Sequence, residues 1–319
     1  MDASAASPVP SQIGGLAAQL ASGIVGHEKL IERLLVALLS GGHLLLEGAP
    51  GLAKTRAVKL LAGAVEGSFA RLQCTPDLMP GDVTGTPVYR PNDGTFEFVA
   101  GPVFHNLVLV DEINRAPPKV QSALLEAMAE GQVTVSTGTH MLPDPFLVVA
   151  TQNPIEHEGT FPLPEAQLDR FLLHVELTLP DATTERRILD LVEAETTDPP
   201  AFRQQIGGPA LANARSAAMA VHLAPELRDY IVRLTMATRE GPLAGEIEHA
   251  VSPRGSLALA AAAKALAYLR GRDYAVPDDV ADLAPDALAH RMVLTWQAVA
   301  EGRTARSVVG DILAAVEPL

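Results

Sequence analysis

Five short apolar runs alternate with helix-like stretches between residue 24 and about residue 178: "HLLLE" (43 to 47), "FARLQ" (69 to 73), "LVLVD" (107 to 111), "FLVVAT" (146 to 151) and "FLLHVEL" (171 to 177). Their hydrophobicity is continuous rather than alternating, as in strands buried on both faces by the helices of a parallel sheet. The expectation is an α/β domain. Two stretches interrupt the alternation. "GTPVYRPNDGTFEFVAG" sets Asn92, Asp93 and Gly94 between two β-rich runs, and "GQVTVSTGTHMLPDPF" has a Ser-Thr-Gly turn after "VTV". Both read as β-hairpins inserted into the α/β core. After "LTLPDATTE" the chain turns helical, through "ERRILDLVEAE", "PELRDYIVRLTMATR", "SPRGSLALAAAAKALAYLRG" and "ARSVVGDILAAVE". Pro225 and Pro253 fit first helical positions and Gly271 falls just past a helix end. The expected division is a loose tail over 1–20, an α/β domain over 21–180 and an all-helical domain over 181–319.

With 319 residues and 48% hydrophobic content, the chain can fill two cores. Domains of ~100 to 200 residues are the usual unit. No run approaches the ~18 uninterrupted apolar residues of a membrane span, and "LALAAAAKALAYL" is broken by Lys264. The N-terminal "MDASAASPVPSQIGG" has no Lys or Arg and no compact apolar core, so it does not read as a secretory signal. The single Cys74 excludes a disulfide framework within the chain and points to a reducing compartment, the cytoplasm. Nine His lack metal-ligand spacing, and Trp296 with four Tyr is too sparse for a base-stacking surface. A net charge of -14 opposes steady nonspecific binding to nucleic acid or anionic lipid.

Chemistry concentrates at the ends of the apolar runs. "GAPGLAKT" (48 to 55) follows the first run and nearly fits the phosphate-loop pattern G-x-x-x-x-G-K-[ST], with Ala53 in place of the last Gly. Gly48 and Gly51 permit the turn, Lys54 supplies charge for the outer phosphates, Thr55 supplies a hydroxyl for Mg²⁺, and "TRAVKLLAGAV" supplies the helix. Ala53 is tolerable there if its backbone is near-helical. "LVLVDEINR" ends its strand with Asp111 and Glu112, one able to hold Mg²⁺ through water while the other polarises an attacking water. Asn153 follows the next run in "VVATQNP", where an amide can bond a γ-phosphate or orient that water. Arg170, in "EAQLDRF", has a surface ion pair with Asp169 or Glu165 as its ordinary fate, yet phosphoryl transfer gains from an arginine supplied by a neighbour. Arg254, in "SPRGS", opposes its helix's dipole and so invites a nearby anion.

Together these residues resemble an AAA+ ATPase, and closely the MoxR family within it. The resemblance covers nearly the whole chain, through "IVGHE", "EGAPGLAKT", "LVLVDEINRAPPKVQSALLEAMAEGQV", "ATQNPIEHEGTFPLPEAQLDRF" and "SPRGS". Ala at the position of Ala53 is usual in that family; His157 and Phe161 stand where Gln and Tyr are expected. The resemblance implies a P-loop core with a parallel five-stranded sheet of order 5-1-4-3-2, two pore-facing hairpins and an all-α lid. It implies ATP and Mg²⁺ as cofactors, with Lys54 and Thr55 as Walker A, Asp111 and Glu112 as Walker B, and the metal on Thr55 and Asp111. Asn153 becomes sensor 1, Arg170 an arginine finger acting in trans, and Arg254 sensor 2. Ile24, Val25 and Gly26 would line the adenine pocket, and Gly48, Ala49, Pro50, Gly51, Leu52, Ala53 and Arg56 complete the nucleotide-binding stretch. It further implies a homo-oligomeric ring, usually hexameric, and a von Willebrand factor A domain partner.

Related rings include nucleic-acid motors, and charge placement separates the two readings. Val120 to Asp169, which includes the second hairpin, holds no Lys or Arg, and the first hairpin contributes only Arg90. A pore gripping phosphates needs cations there. The expectation is therefore ATP hydrolysis coupled to remodelling, maturation or chaperoning of a protein client. The alternatives are a magnesium-chelatase-like subunit, a nucleic-acid translocase and an ATP-gated assembly scaffold.

Overall fold

The computed structural model describes residues 11–92, 94–135, 138–154, 159–197 and 205–318. The first part runs α1 (Ser11–Gly23), α2 (Glu28–Ser40), β1 (Leu44–Glu47), α3 (Lys54–Ala64), β2 (Phe69–Gln73), α4 (Pro80–Thr84), β3 (Gly85–Arg90) and β4 (Thr95–Ala100). It continues through β5 (Leu107–Asp111), α5 (Pro118–Glu130), β6 (Gln132–Val135), β7 (Gly138–Met141), β8 (Leu147–Gln152), α6 (Glu165–Leu168) and β9 (Leu173–Glu176). The second part is α7 (Ala182–Thr197), α8 (Gly208–Ala220), α9 (Pro225–Glu240), α10 (Pro253–Leu269), α11 (Pro277–Leu288), α12 (Trp296–Ala300) and α13 (Ala305–Ala315). It is helical apart from a short antiparallel ribbon of β10 (Ile247–His249) and β11 (Val293–Leu294).

The five apolar runs form one parallel sheet ordered β2-β5-β8-β1-β9. Counted by sheet strands alone and read from the far edge, this is 5-1-4-3-2, as expected. Burial on both faces holds for the inner strands, where Leu44, Leu45, Leu46, Val108, Leu109, Val110, Val148 and Val149 are fully enclosed. Each such side chain contributes roughly 1.5–3 kcal/mol of hydrophobic free energy. The edge strands depart from the expectation. In β2 only Leu72 is buried while Arg71 and Gln73 are exposed, because an edge strand lacks one neighbour and its covering helices.

The expected loose tail over 1–20 needs correction. Residues 1–10 lie outside the described residues, but α1 begins at Ser11 and buries Ile13, Leu16 and Leu20. Gly14 and Gly15 hide this helix in the sequence, since each lowers helix propensity by about 1 kcal/mol. Packing of one apolar stripe overrides that cost. "IVGHE" accordingly connects α1 to α2, with Glu28 already the first residue of α2.

One apolar core runs from α1, α2 and α3 beneath the sheet into α8 to α13; a second covers the other face with α5 and part of the second hairpin, through Val133 and Val135 of β6. Charges also tie the two parts. Arg33 of α2, fully buried, reaches Asp286 at 2.9 Å and Asp282 at 2.7 Å on α11. A buried guanidinium is tolerable only with its donors filled this way.

Both expected hairpins are present. β3 pairs with β4 from Gly85↔Ala100 to Arg90↔Thr95, and β6 pairs with β7 from Gln132↔Met141 to Val135↔Gly138. At their turns Asp93, Ser136 and Thr137 lie outside the described residues. Phe98 of β4 stacks on His140 of β7 with centroids 4.0 Å apart and planes at 17°, so the two hairpins contact each other.

Candidate active site

The parallel sheet brings the C-terminal ends of β1, β5 and β8 to one edge, the usual place for a ligand in such a sheet. The loop after β1 passes through Gly51 at φ 88° and Ala53 at φ 54°, then opens into α3. Positive φ two residues apart curls the loop around a concavity at the helix N-terminus, where amide dipoles favour an anion. Lys54 lies across this loop, its Nζ donating to the Gly48 carbonyl and, at 3.4 Å, to that of Ala49.

Ala53 is not near-helical, which corrects the expectation for it. It is one of two described non-glycine residues with positive φ, the other being Glu112 at 58°. The left-handed region costs an L-residue about 1 kcal/mol, whereas glycine there costs about 0.5 kcal/mol through the freer unfolded chain. Ala53→Gly should therefore stabilise the fold by about 0.5 kcal/mol, read as a shift in urea midpoint without loss of ATP affinity. Destabilisation by about 1 kcal/mol would contradict the left-handed assignment.

Asp111, 5% exposed, ends β5 beneath the loop. Its Oδ1 faces the Thr55 hydroxyl at 3.5 Å and accepts from Thr151 Oγ1 at 3.2 Å. A hydroxyl beside a carboxylate is a hard oxygen donor set that fits Mg²⁺, so Thr55 and Asp111 are the residues that would hold it. Glu112 is tied through its backbone N–H to Thr151 Oγ1 at 3.0 Å, and through its carboxylate to Gln73 Nε2 at 2.9 Å and Arg115 at 3.4 Å. The left-handed backbone at Glu112 costs about 1–3 kcal/mol and marks this strand end as a constrained position. Asn153, 4% exposed, closes the far side, its carbonyl accepting from Asn114 Nδ2 at 3.4 Å. Thr55, Asp111, Glu112 and Asn153 line one cleft of about 380 Å³ together with Pro50 to Lys54 and Arg56.

A second cleft of about 260 Å³ adjoins the first through Pro50 to Ala53 and Arg56. Ile24 and Val25 line one side and Ile188, Leu191 and Val192 of α7 the other, an apolar slot beside the phosphate loop. Gly26, at φ 79°, packs where a Cβ would meet the Thr184 methyl at 2.1 Å, so a side chain there would be strained and would force Thr184 of α7 to move. Arg56 is fixed by the Gly23 carbonyl at 2.8 Å and by Glu195 at 2.9 Å.

Arg170 and Arg254 lie elsewhere: neither lines these clefts. Arg170 donates to the Leu125 carbonyl at 2.9 Å and does not take up Asp169. Asp169 accepts instead from Arg291 at 3.0 Å and Ser252 at 3.1 Å, and pairs with Arg254 at 3.5 Å. Arg254 thus finds its anion in a carboxylate. Burial lowers the Arg291 guanidinium to about 10, although Asp169 pulls it back up. One carboxylate joins the lid to the residue beside Arg170.

Four residues in the cleft escaped the sequence reading: Arg71, Gln73, Thr151 and Gln152. Arg71 Nε donates to Asp111 Oδ2 at 2.6 Å. The signal was the spacing of two in "FARLQ", which puts Arg71 and Gln73 on one side of a strand whose neighbour ends in the acid pair. Thr151 stands two before Asn153, also on one side of its strand.

A phosphate loop following an inner strand of a 5-1-4-3-2 sheet, with paired acids ending the strand two positions away across β8 and a helical lid, is the architecture of AAA-type P-loop ATPases. The family model for the "ATPase family associated with various cellular activities (AAA)" matches residues 43–173, and an AAA lid domain model matches 243–312. The chain is 46% identical over 299 residues to Chaperone MoxR1 of Mycobacterium tuberculosis, covering 92% of this chain and 78% of that protein. A solved structure from Cytophaga hutchinsonii superposes with a TM-score of 0.88 at 41% identity, covering 96% of this chain and 94% of that one. Magnesium-chelatase subunit ChlI of Oryza sativa is more distant, 29% identical over 249 residues, covering 75% of this chain and 54% of that protein. The chain belongs to the MoxR family of AAA+ ATPases.

Proposed function

We propose that this protein hydrolyses ATP with Mg²⁺ and couples turnover to remodelling, maturation or chaperoning of a protein client in the cytoplasm. The observation that carries the reading is the convergence of Lys54, Thr55, Asp111, Glu112 and Asn153 on one cleft beside an apolar slot. Lys54 and the loop amides bind the triphosphate, and Ile24 with Val25 holds the adenine. Mg²⁺, held by Thr55 and Asp111, supplies neutralisation of phosphate charge. Glu112 accepts a proton from the attacking water, which Asn153 orients.

Arg170 and Arg254 serve the cleft of a neighbour in a ring, a hexamer in this proposal, rather than their own. Neither lines the chain's own clefts, which supports this, and Asp169, the sequence neighbour of Arg170, is the carboxylate that pairs with Arg254. A protein client is favoured over nucleic acid by the hairpins. Arg90, the cation of the first hairpin, is already paired with Glu97. Across the same hairpin Tyr89 and Phe96 stand in register, 53% and 65% exposed with rings 5.3 Å apart, and offer apolar contact. A von Willebrand factor A domain protein is the proposed partner.

The test is capture with Glu112→Gln. Loss of the base should slow turnover by about 10²- to 10⁴-fold while ATP stays bound, and the trapped ring should retain protein on affinity purification from its own cells. Recovery of mainly DNA or RNA would overturn the protein-client reading. Unimpaired function of Glu112→Gln in cells would replace it with an ATP-gated scaffold.

A further inference from the structure

The metal-binding acid already carries a cation from its own chain. Arg71, on the exposed side of β2, donates through Nε to Asp111 Oδ2 at 2.6 Å, while Oδ1 faces Thr55 and Thr151. The carboxylate is thus divided, with one oxygen turned to the hydroxyls and the other to a guanidinium. A second donor of Arg71, Nη2, reaches Gln73 Oε1 at 3.2 Å, and Gln73 Nε2 reaches Glu112 at 2.9 Å. Both acids of the cleft are therefore held from the same edge strand. Arg71 lines the phosphate cleft with its side chain 45% exposed, so it is free to follow an incoming charge. Of the other lining cations, Lys54 rests on the loop and Arg56 is committed to Glu195 and Gly23.

We propose that Arg71 is a positioning residue that shares Asp111 with Mg²⁺ and sets how far nucleotide binding depends on the metal. The inference rests on the reading of this cleft as a Mg-ATP site. A guanidinium on Oδ2 reduces the negative charge that a metal meets at Oδ1, so Arg71 opposes the metal. The same fixed charge attracts the triphosphate, so Arg71 favours nucleotide. These effects have opposite sign on the two ligands, and their sum is visible as linkage between metal and nucleotide. A role confined to shaping β2 would produce no such linkage.

The experiment is calorimetric titration of the full chain with AMP-PNP, once in EDTA and once in MgCl₂, for wild type, Arg71→Gln and Arg71→Lys. Arg71→Gln should weaken binding about tenfold in EDTA, the loss of one charged hydrogen-bonding partner. With MgCl₂ its affinity should stay at or above that of wild type. The ratio of the two Kd values therefore widens by about tenfold or more. Arg71→Lys, which keeps the charge without the planar fork, should recover most of the metal-free affinity. Equal shifts of Arg71→Gln under both conditions, or no shift under either, would overturn the inference while leaving the ATP site standing. A wild-type protein that binds AMP-PNP in neither condition would overturn both.

Discussion

The Arg170→Ala protein should bind ATP as tightly as wild type and turn it over at least about 10³-fold more slowly. Arg170 follows α6, donates to the Leu125 carbonyl and does not line the cleft that holds Lys54 and Asp111. It therefore adds nothing to the ground-state affinity of its own chain. Charge that develops on the transferring phosphoryl group is what an arginine from a neighbour stabilises, and that stabilisation belongs to the transition state alone. The Michaelis constant should change little while kcat collapses. Asp169 stays paired with Arg254 and Arg291 in this variant, so the lid should keep its seat and the melting temperature should hold. A steady-state ATPase assay with a separate binding titration checks both halves. Wild-type turnover by Arg170→Ala would remove the arginine from the mechanism.

Lys54→Ala should fail at the earlier step. The Lys54 ammonium sits over the loop on the carbonyls of Gly48 and Ala49, within reach of any anion cradled by the N-terminus of α3. Exchanging two neutral carbonyls for phosphate oxygens turns neutral acceptors into charged ones, and such contacts are worth about 1.5–3 kcal/mol each. Losing them should weaken ATP at least about 100-fold. The fold should survive, because the side chain is only part-buried and its hydrogen bonds run to backbone carbonyls of the loop and of Gln152 at the end of β8. Calorimetry showing wild-type affinity in Lys54→Ala would mean that the triphosphate lies elsewhere.

Much of this architecture was legible because its determinants are local. Continuous apolar runs marked the inner strands, and the residues ending them, Thr55, Asp111, Glu112 and Asn153, fall together once parallel strands align. Legibility ended where tertiary context decides. The backbone of Ala53 is left-handed because the loop must close onto α3, a demand that propensity does not record. The helix at Ser11 depends on a packing stripe that two glycines obscure. Arg71 and Gln73 were hidden in a run that reads as buried, because whether a strand lies at a sheet edge depends on strand order. The partner of Arg254 was out of reach for a related reason: Asp169 is 85 residues away and meets it only when the lid docks.

The central claim is that an active cleft is assembled from two copies of the chain, and mixing two inactive proteins tests it most directly. Lys54→Ala lacks a working cleft but keeps Arg170, while Arg170→Ala keeps the cleft and lacks the arginine. If both enter the same rings at random in equal amounts, about a quarter of the interfaces join an intact cleft to an intact arginine. The account predicts that ATPase activity, negligible in each protein alone, reappears in the mixture in proportion to such interfaces. A mixture that forms joint rings and remains as inactive as its components would contradict it.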